Sequence, residues 1–389
     1  MRQQDSGDMI PQVTGLGGKN TVNQLICRVG PERSLCSPSD DLMVRDCMMV
    51  VPAPQFAFRL LHRAQPIRVL LAVLCCHLLL GSLAFAQQDV LSGTSDNGIR
   101  LTGNHTHRLR VGVKIKAGGP CKGIIASVPV PMDWPEQQVQ IIDESISPEV
   151  RSVTYRTLDS GAKQMLVNIP RLGAGEVAEA VLTLSIERQV IEGPAGDTQI
   201  YQIPRRVPRD MNIFLGDSPF IEARNNKIRG LAREITEGKE TAWDQVRAIY
   251  DYVRANVTYR ESELKGAVQA LADGQGDCEA MTSLFVALCR AHRVPARMVW
   301  VTDHSYPEFY LVDDQDQGHW FPCQISGSEA FGHMPEVRPI IQKGDNYRIP
   351  ETKERRRYVA LQLKAAAVRG SSPQVTEIME FVDPQSANP

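Results

Sequence analysis

The sequence predicts an α+β protein, an antiparallel β-sandwich followed by a second domain in which helices precede strands. Three observations predict it. Between residues 108 and 191, short segments alternate apolar with polar residues and are separated by turn residues. The proline-bearing stretch IPRRVPRD, residues 203–210, breaks that rhythm. Beyond it, apolar residues recur every three or four positions and then return to strand-like runs. The length of 389 residues fits two or three domains at about 150 residues each. A net charge of −2 gives no general footing for nucleic acid, which is not expected as a partner.

Residues 1–58 are polar and turn-rich (GLGGKN, SPSDD) and lack a sustained apolar period. They are expected to be disordered, or to precede the true start, because Met43, Met48 and Met49 stand nearer to the apolar run that begins at Val69. Residues 59–86 have the three parts of a secretory signal peptide. Arg59, Arg63 and Arg68 precede the apolar run VLLAVLCCHLLLGSLAFA, and Ala84 and Ala86 are the small residues before Gln87. The apolar run is short against the roughly 20 residues of a membrane span, so no stable membrane anchor is expected. An uncleaved anchor or a buried helix is the alternative. The chain is therefore expected to be exported, periplasmic or secreted, after cleavage near Ala86–Gln87.

Of the nine cysteines, those at 27, 36, 47, 75 and 76 precede Gln87. Cys121, Cys278, Cys289 and Cys323 remain, too few and too scattered for a disulfide framework. A lone thiol with a histidine near it is then a candidate nucleophile.

The sandwich domain is expected over 87–202, with strands in RLRVGVKIKA, KGIIASVPVP, QVQIIDE, KQMLVNIP and EAVLTLSIERQVI. No nucleophile pair or metal spacing occurs in it, and Cys121 after GGP reads as a small packed residue. Residues 203–212 are expected to be a linker, 213–382 the second domain and 383–389 a tail. Ile228, Leu231 and Ile235 mark one helix face, and Trp243, Val246, Tyr250, Val253 and Val257 mark the next. A shorter helix over 267–273 ends at Gly274.

The most informative stretch is GQGDCEAMTSLFVALCRAHRVPARMVWV. Asp277 can cap a helix that starts at Cys278 and buries a stripe of Met281, Leu284, Phe285, Leu288, Cys289 and His292, before Pro295 stops it. FYLV, the turn DDQDQG and HWFPC then read as a hairpin. Gly274 and Gly276 let the chain turn sharply, so the Cys278 thiol projects from the first helical turn. There the helix dipole favours a thiolate by about 0.3–1 kcal/mol, while Asp277 and Glu279 oppose it. A cationic partner is needed, and imidazolium is the usual one. His292 lies about 21 Å along the same helix and cannot serve. His304, where the chain can return alongside the helix, is preferred to His319, with His333 behind both.

The run GDCEAMTSLFVALCRAHRVPAR, followed by HSYPEFYL and GHWFPCQ, resembles the transglutaminase-like superfamily over about 215–330. TAWDQVRAIYDYVRANVTY matches the helix that precedes the cysteine in that family. The resemblance implies a papain-like α+β domain, often with a β-sandwich in front, and a Cys-His-Asp catalytic arrangement. It makes Cys278 the nucleophile and His304 the base, and it matches Glu308 to the family's strand glutamate. The third position departs from the pattern, because the residues three and four after Trp320 are Cys323 and Gln324 where Asp belongs. Gln324 can accept a hydrogen bond from the imidazole and hold its tautomer, without supplying a full charge. Asp313, Asp314 and Asp316 are lower-ranked substitutes on what should be an exposed turn. Gln275 is a candidate oxyanion donor beside the Cys278 amide.

The expected function is cysteine-dependent acyl transfer, most simply hydrolysis of a peptide or amide bond in a protein or peptide substrate through a Cys278 thioester. Two alternatives stay open: protein cross-linking, and a binding module that has lost turnover at the altered third position. A zinc site from His304, Glu308, His319 and a cysteine is disfavoured, since positions four apart on a strand lie about 13 Å apart. No metal or organic cofactor is expected. The basic run KERRR, 353–357, reads as a solvated edge or loop. A regulatory disulfide between Cys278 and Cys323 is a further, minor expectation. The sequence carries no signal for oligomeric state.

Overall fold

The computed structural model describes residues 98–159, 161–367 and 372–382. The expected extension (1–58), signal peptide (59–86) and tail (383–389) lie outside the described residues. Among the described residues, no helix is long and apolar enough to cross a membrane.

Six strands open the described chain: β1 (Arg100–Lys116), β2 (Cys121–Val130), β3 (Gln137–Ile146), β4 (Ser152–Leu158), β5 (Ala162–Leu172) and β6 (Val177–Glu192). Their alternation places one set of side chains inward. Leu109, Val111, Val113 and Ile115 of β1 face a common core with Ile124, Ala126 and Val128 of β2 and Met165, Val167 and Ile169 of β5. Each fully buried side chain of the size of Val, Leu or Ile is worth about 1.5–3 kcal/mol of hydrophobic stabilisation. Cys121 is one of these packed residues, 2% exposed.

Residues 203–208 are flanked by two short 3-10 turns, Thr198–Ile200 and Arg209–Phe214. Four helices follow: α1 (Asn226–Thr236), α2 (Ala242–Asn256), α3 (Ala267–Asp273) and α4 (Cys278–Ala291). Thr241 caps α2 by accepting from the Asp244 amide at 3.0 Å, and Val246, Ile249, Tyr250 and Val253 form its buried face. The two-residue strands β7 (Thr258–Tyr259) and β8 (Gln275–Gly276) pair in parallel just before α4. Then come β9 (Ala296–Val301), β10 (His304–Val312), β11 (Gly318–Gln324), β12 (Ala330–Phe331) and β13 (Ile340–Lys343). They form one antiparallel sheet in the order β12-β11-β10-β9-β13.

Helix α4 lies between that sheet and the other three helices, so every residue from Ala280 to Arg290 is buried. A one-sided apolar stripe was the expectation. A helix covered on all sides is apolar or internally satisfied all round. Its one buried charge, Arg290, is satisfied by a two-pronged contact to Asp345, 2.8 and 2.7 Å, and by the Ala296 carbonyl and the Ser218 hydroxyl. Both members of that ion pair are fully buried.

After the hairpin of β14 (Tyr347–Arg348) and β15 (Arg355–Arg356), the chain returns to the sandwich. Strand β16 (Gln362–Ala367) pairs with β2, and β17 (Gln374–Phe381) pairs with β1. The sandwich sheets are therefore β17-β1-β6-β3 and β16-β2-β5-β4. This corrects the expectation that 213–382 form one second domain. The last two strands belong to the sandwich, and the helices and five-stranded sheet are an insertion between β6 and β16.

Candidate active site

Two glycines shape the approach to Cys278 for different reasons. Gly274 ends α3 in the left-handed region at φ 61°, which a glycine adopts without strain. Gly276 is needed for space, since a Cβ there would lie 2.8 Å from the Ala280 Cβ. Asp277 then caps α4, its Oδ1 accepting from the Ala280 amide at 2.8 Å.

The Cys278 thiol is half-buried at the first position of the helix. Burial pushes it up from the ordinary cysteine value, hydrogen bonding by the Ser305 backbone draws it down, and Asp277 and Glu279 push it up again. The thiol thus meets β10 one residue past His304. One turn further along, Thr282 donates to the Ser305 carbonyl at 3.4 Å, which stitches α4 to the same point of the strand.

His304 and Gln324 come together. His304 Nε2 and Gln324 Oε1 are 3.0 Å apart across the β10–β11 pair. Burial lowers the imidazole's proton affinity, the Gln324 contact raises it, and Arg338 and Glu336 act in opposite senses. Gln324 is itself held at both ends. Its carbonyl accepts from Tyr250 Oη at 3.0 Å and from Arg254 Nη1 at 3.1 Å, and its Nε2 donates to Glu336 Oε2 at 3.0 Å. Glu336, on the loop between β12 and β13, also pairs with Arg338. It was not foreseen, because no sequence motif links position 336 to 324.

The remaining sequence candidates are placed elsewhere. His319 bonds Asp313, 3.0 Å from Nε2 to Oδ2, so the runner-up histidine and the first substitute acid satisfy each other. Asp313 is 2% exposed, against the expectation of an exposed turn, because its Oδ1 also accepts the Gln315 and Gln317 amides that shape the turn. Asp314 and Asp316 are exposed. His292 is taken up by Gln245 and Thr236 at the far end of α4, and His333 lies against the Phe331 carbonyl. Gln275 Oε1 accepts from Arg260 at 3.2 Å. Cys323 is fully buried with its sulfur toward the Pro307 carbonyl, 3.9 Å away.

Glu308, four residues along β10 from His304, is taken up in a separate buried ionic group. It bonds Arg297 at 2.7 Å and Lys343 at 2.6 Å, and Lys343 reaches Glu136 at 2.6 Å. Burial pushes the Glu308 carboxyl up, but Arg297 and Lys343 outweigh it and hold it down at about 2. His304, Glu308 and His319 therefore do not converge, and among the described residues no three His, Cys, Asp or Glu side chains form a metal-binding group.

Arg357 corrects the reading of 353–357 as solvated. Arg355 is exposed, but Arg357 is 6% exposed and pairs with Glu279, the residue after the candidate nucleophile. Its guanidinium stacks on Phe220 at 4.8 Å and Trp300 at 5.5 Å. It offsets one of the two negative charges beside the thiol.

Residues 229–325 match the transglutaminase-like superfamily. No curated protein matches. Among solved structures, the chain is similar to a provisionally named cysteine protease from Cytophaga hutchinsonii, at 16% identity and a TM-score of 0.48, covering 73% of this chain and 100% of that one. It is also similar to a provisionally named protease from Parabacteroides distasonis, at 12% identity and a TM-score of 0.26, covering 57% of this chain and 43% of that one. The matched segment runs from within α1 to just past β11.

Proposed function

We propose that the protein is an exported cysteine-dependent acyl-transfer enzyme that hydrolyses a peptide or amide bond in a protein or peptide. Cys278 is the nucleophile, His304 the base and Gln324 the residue that orients His304. The observation that carries the reading is the 3.0 Å contact between His304 and Gln324, placed one residue from the point where the Cys278 thiol meets β10.

The electrostatics favour a neutral resting pair. The thiol is pushed up and the imidazole is pushed down, both chiefly by burial, so the proton rests on sulfur. His304 then takes that proton as the sulfur attacks the substrate carbonyl and gives it to the leaving amine as the tetrahedral intermediate collapses to a thioester. Water, deprotonated by the same imidazole, attacks the thioester, and the carboxylic acid and free thiol are released. The Cys278 amide, with Gln275 as a second donor, would face the oxyanion.

The test is intact-mass trapping on wild type and Cys278→Ala with Gln, Asn and peptide-amide probes. A thioester adduct on wild type alone is expected. Adduct transfer to an added amine in preference to water would establish cross-linking instead. A wild type that forms no adduct with any probe, and whose thiol reacts no faster than free cysteine, would leave the binding module as the correct reading.

A further inference from the structure

We propose that Glu336 is a positioning residue that acts through Gln324 to keep the His304 proton on Nε2, leaving the Nδ1 lone pair for Cys278. The inference rests on the catalytic reading above and assigns the role that the family gives to an aspartate to two residues in series.

A glutamine alone cannot orient a histidine. Its amide presents an acceptor or a donor according to which way it is turned, and the two arrangements have nearly the same shape. Turned one way, the oxygen faces the imidazole and Nε2 must carry the proton. Turned the other way, the NH2 faces the imidazole, Nε2 must supply a lone pair, and the proton moves to Nδ1. A histidine in that second form cannot take a proton at Nδ1. The altered third position therefore functions only if something turns the amide.

Glu336 turns it. An ionised carboxylate only accepts, so the group 3.0 Å from its Oε2 must be the Gln324 NH2. The oxygen is then directed at His304, as the 3.0 Å contact requires. Glu336 is kept ionised by Arg338, which pairs with it. Arg338 in turn donates to the Thr302 carbonyl at 3.0 Å, and its own carbonyl accepts from Arg188 Nε of β6 at 3.2 Å. Arg188 is fully buried, and its Nη1 also donates to the Glu136 carbonyl at 3.0 Å. The loop that carries Glu336 is thus fixed from the sandwich side. The charged groups that act on the imidazole are Glu336 and Arg338, both from this loop.

The test reads the imidazole directly. In the full chain labelled with 15N-histidine, nitrogen chemical shifts report which nitrogen carries the proton, with His304→Gln used to assign the signal. Wild type is expected to show the Nε2–H form. Glu336→Ala is expected to give a mixture with the Nδ1–H form, and the reaction of Cys278 with 4,4′-dithiodipyridine should slow in proportion to the loss of Nε2–H. If that variant does not fold, Glu336→Asp, one methylene short of contact, serves the same purpose. Glu336→Gln should also lose the Nε2–H form, because Gln324 and Arg338 use separate carboxylate oxygens and a glutamine whose oxygen accepts from Arg338 turns its NH2 to Gln324, which then presents its own NH2 to His304. An unchanged tautomer in the folded Ala, Asp or Gln variant would overturn the proposal. An unreactive thiol beside an intact, Glu336-dependent Nε2–H signal would count against the catalytic reading alone.

Discussion

Exchanging Gln324→Glu with Glu336→Gln moves the carboxylate from behind the amide into contact with His304. The two contacts in series are each 3.0 Å, and with the amide between them they set the carboxylate about 8 Å from the ring, against about 4.5 Å in direct contact. At an effective dielectric constant of about 20, these separations give attractions to an imidazolium of about 2 and about 3.7 kcal/mol. The exchange therefore stabilises the thiolate–imidazolium pair by about 1.5 kcal/mol, roughly tenfold in population. A thiolate of lower proton affinity is less nucleophilic, with a Brønsted slope of about 0.4–0.5, so the net gain toward a disulfide probe is about threefold. The assay is the second-order rate constant for 4,4′-dithiodipyridine from pH 5 to 9. The double variant should react about threefold faster than wild type at neutral pH and begin its rise at lower pH. Gln324→Glu alone should gain less, because two carboxylates at hydrogen-bond distance share a proton. A double variant no faster than wild type, or a single variant equal to it, would refute the idea that the third position acts on the thiol through its charge.

Three further perturbations have outcomes set by the packing. Asp345→Ala strips the fully buried Arg290 of its two-pronged partner and should cost about 3–5 kcal/mol in urea unfolding, whereas removal of an exposed pair such as Arg356–Glu354 should cost under about 1 kcal/mol. Gly276→Ala drives a Cβ to 2.8 Å from Ala280 and should cost about 1–3 kcal/mol in thermal unfolding while displacing Cys278 enough to slow its labelling. Glu308, held at about 2 against an ordinary 4.5, binds its proton more weakly in the native state than in the unfolded chain. Its contribution is whole above about pH 4.5 and is lost as pH falls toward 2. Thermal stability should consequently fall less steeply between pH 5 and 3 in Glu308→Gln than in wild type, and an identical slope would rule out Glu308 as a source of the acid sensitivity.

Local periodicity made five of the first six strands (all but β4), the helices and the β10–β11 hairpin legible, because each carries its apolar spacing within its own few residues. The same signal misled at the carboxy end. Strand β17 pairs with β1 through contacts such as Val111 with Met379, and nothing in an alternating segment says which distant edge it will join. Charge was equally local as a signal. KERRR is uniformly basic in sequence, yet Arg357 alone turns inward to Glu279 and the Phe220 and Trp300 rings. Asp313 looked like a solvated turn residue, and it is buried because the turn's own amides and His319 satisfy it. Cys278 stood out because its signal is compact, a capped helix start with spacing glycines.

The sandwich and the inserted domain are joined by more than the two chain crossings. Lys343 of β13 bonds Glu308 inside the insertion and Glu136 in the sandwich, with all three side chains nearly inaccessible to water. Arg188 of β6 holds the carbonyl of Arg338, and Arg338 holds Glu336. A buried charge deprived of its partner costs several kcal/mol, so the two parts cannot slide without breaking contacts that water does not replace. That rigidity bears on the altered third position. An aspartate on β11 would have needed only its own strand to face His304. A glutamine there needs a carboxylate from another loop, and that loop keeps its place because the sandwich grips it. On the proposed mechanism the domain with no candidate nucleophile is thereby part of the scaffold, and the orientation of one amide depends on packing between residues about 150 positions apart.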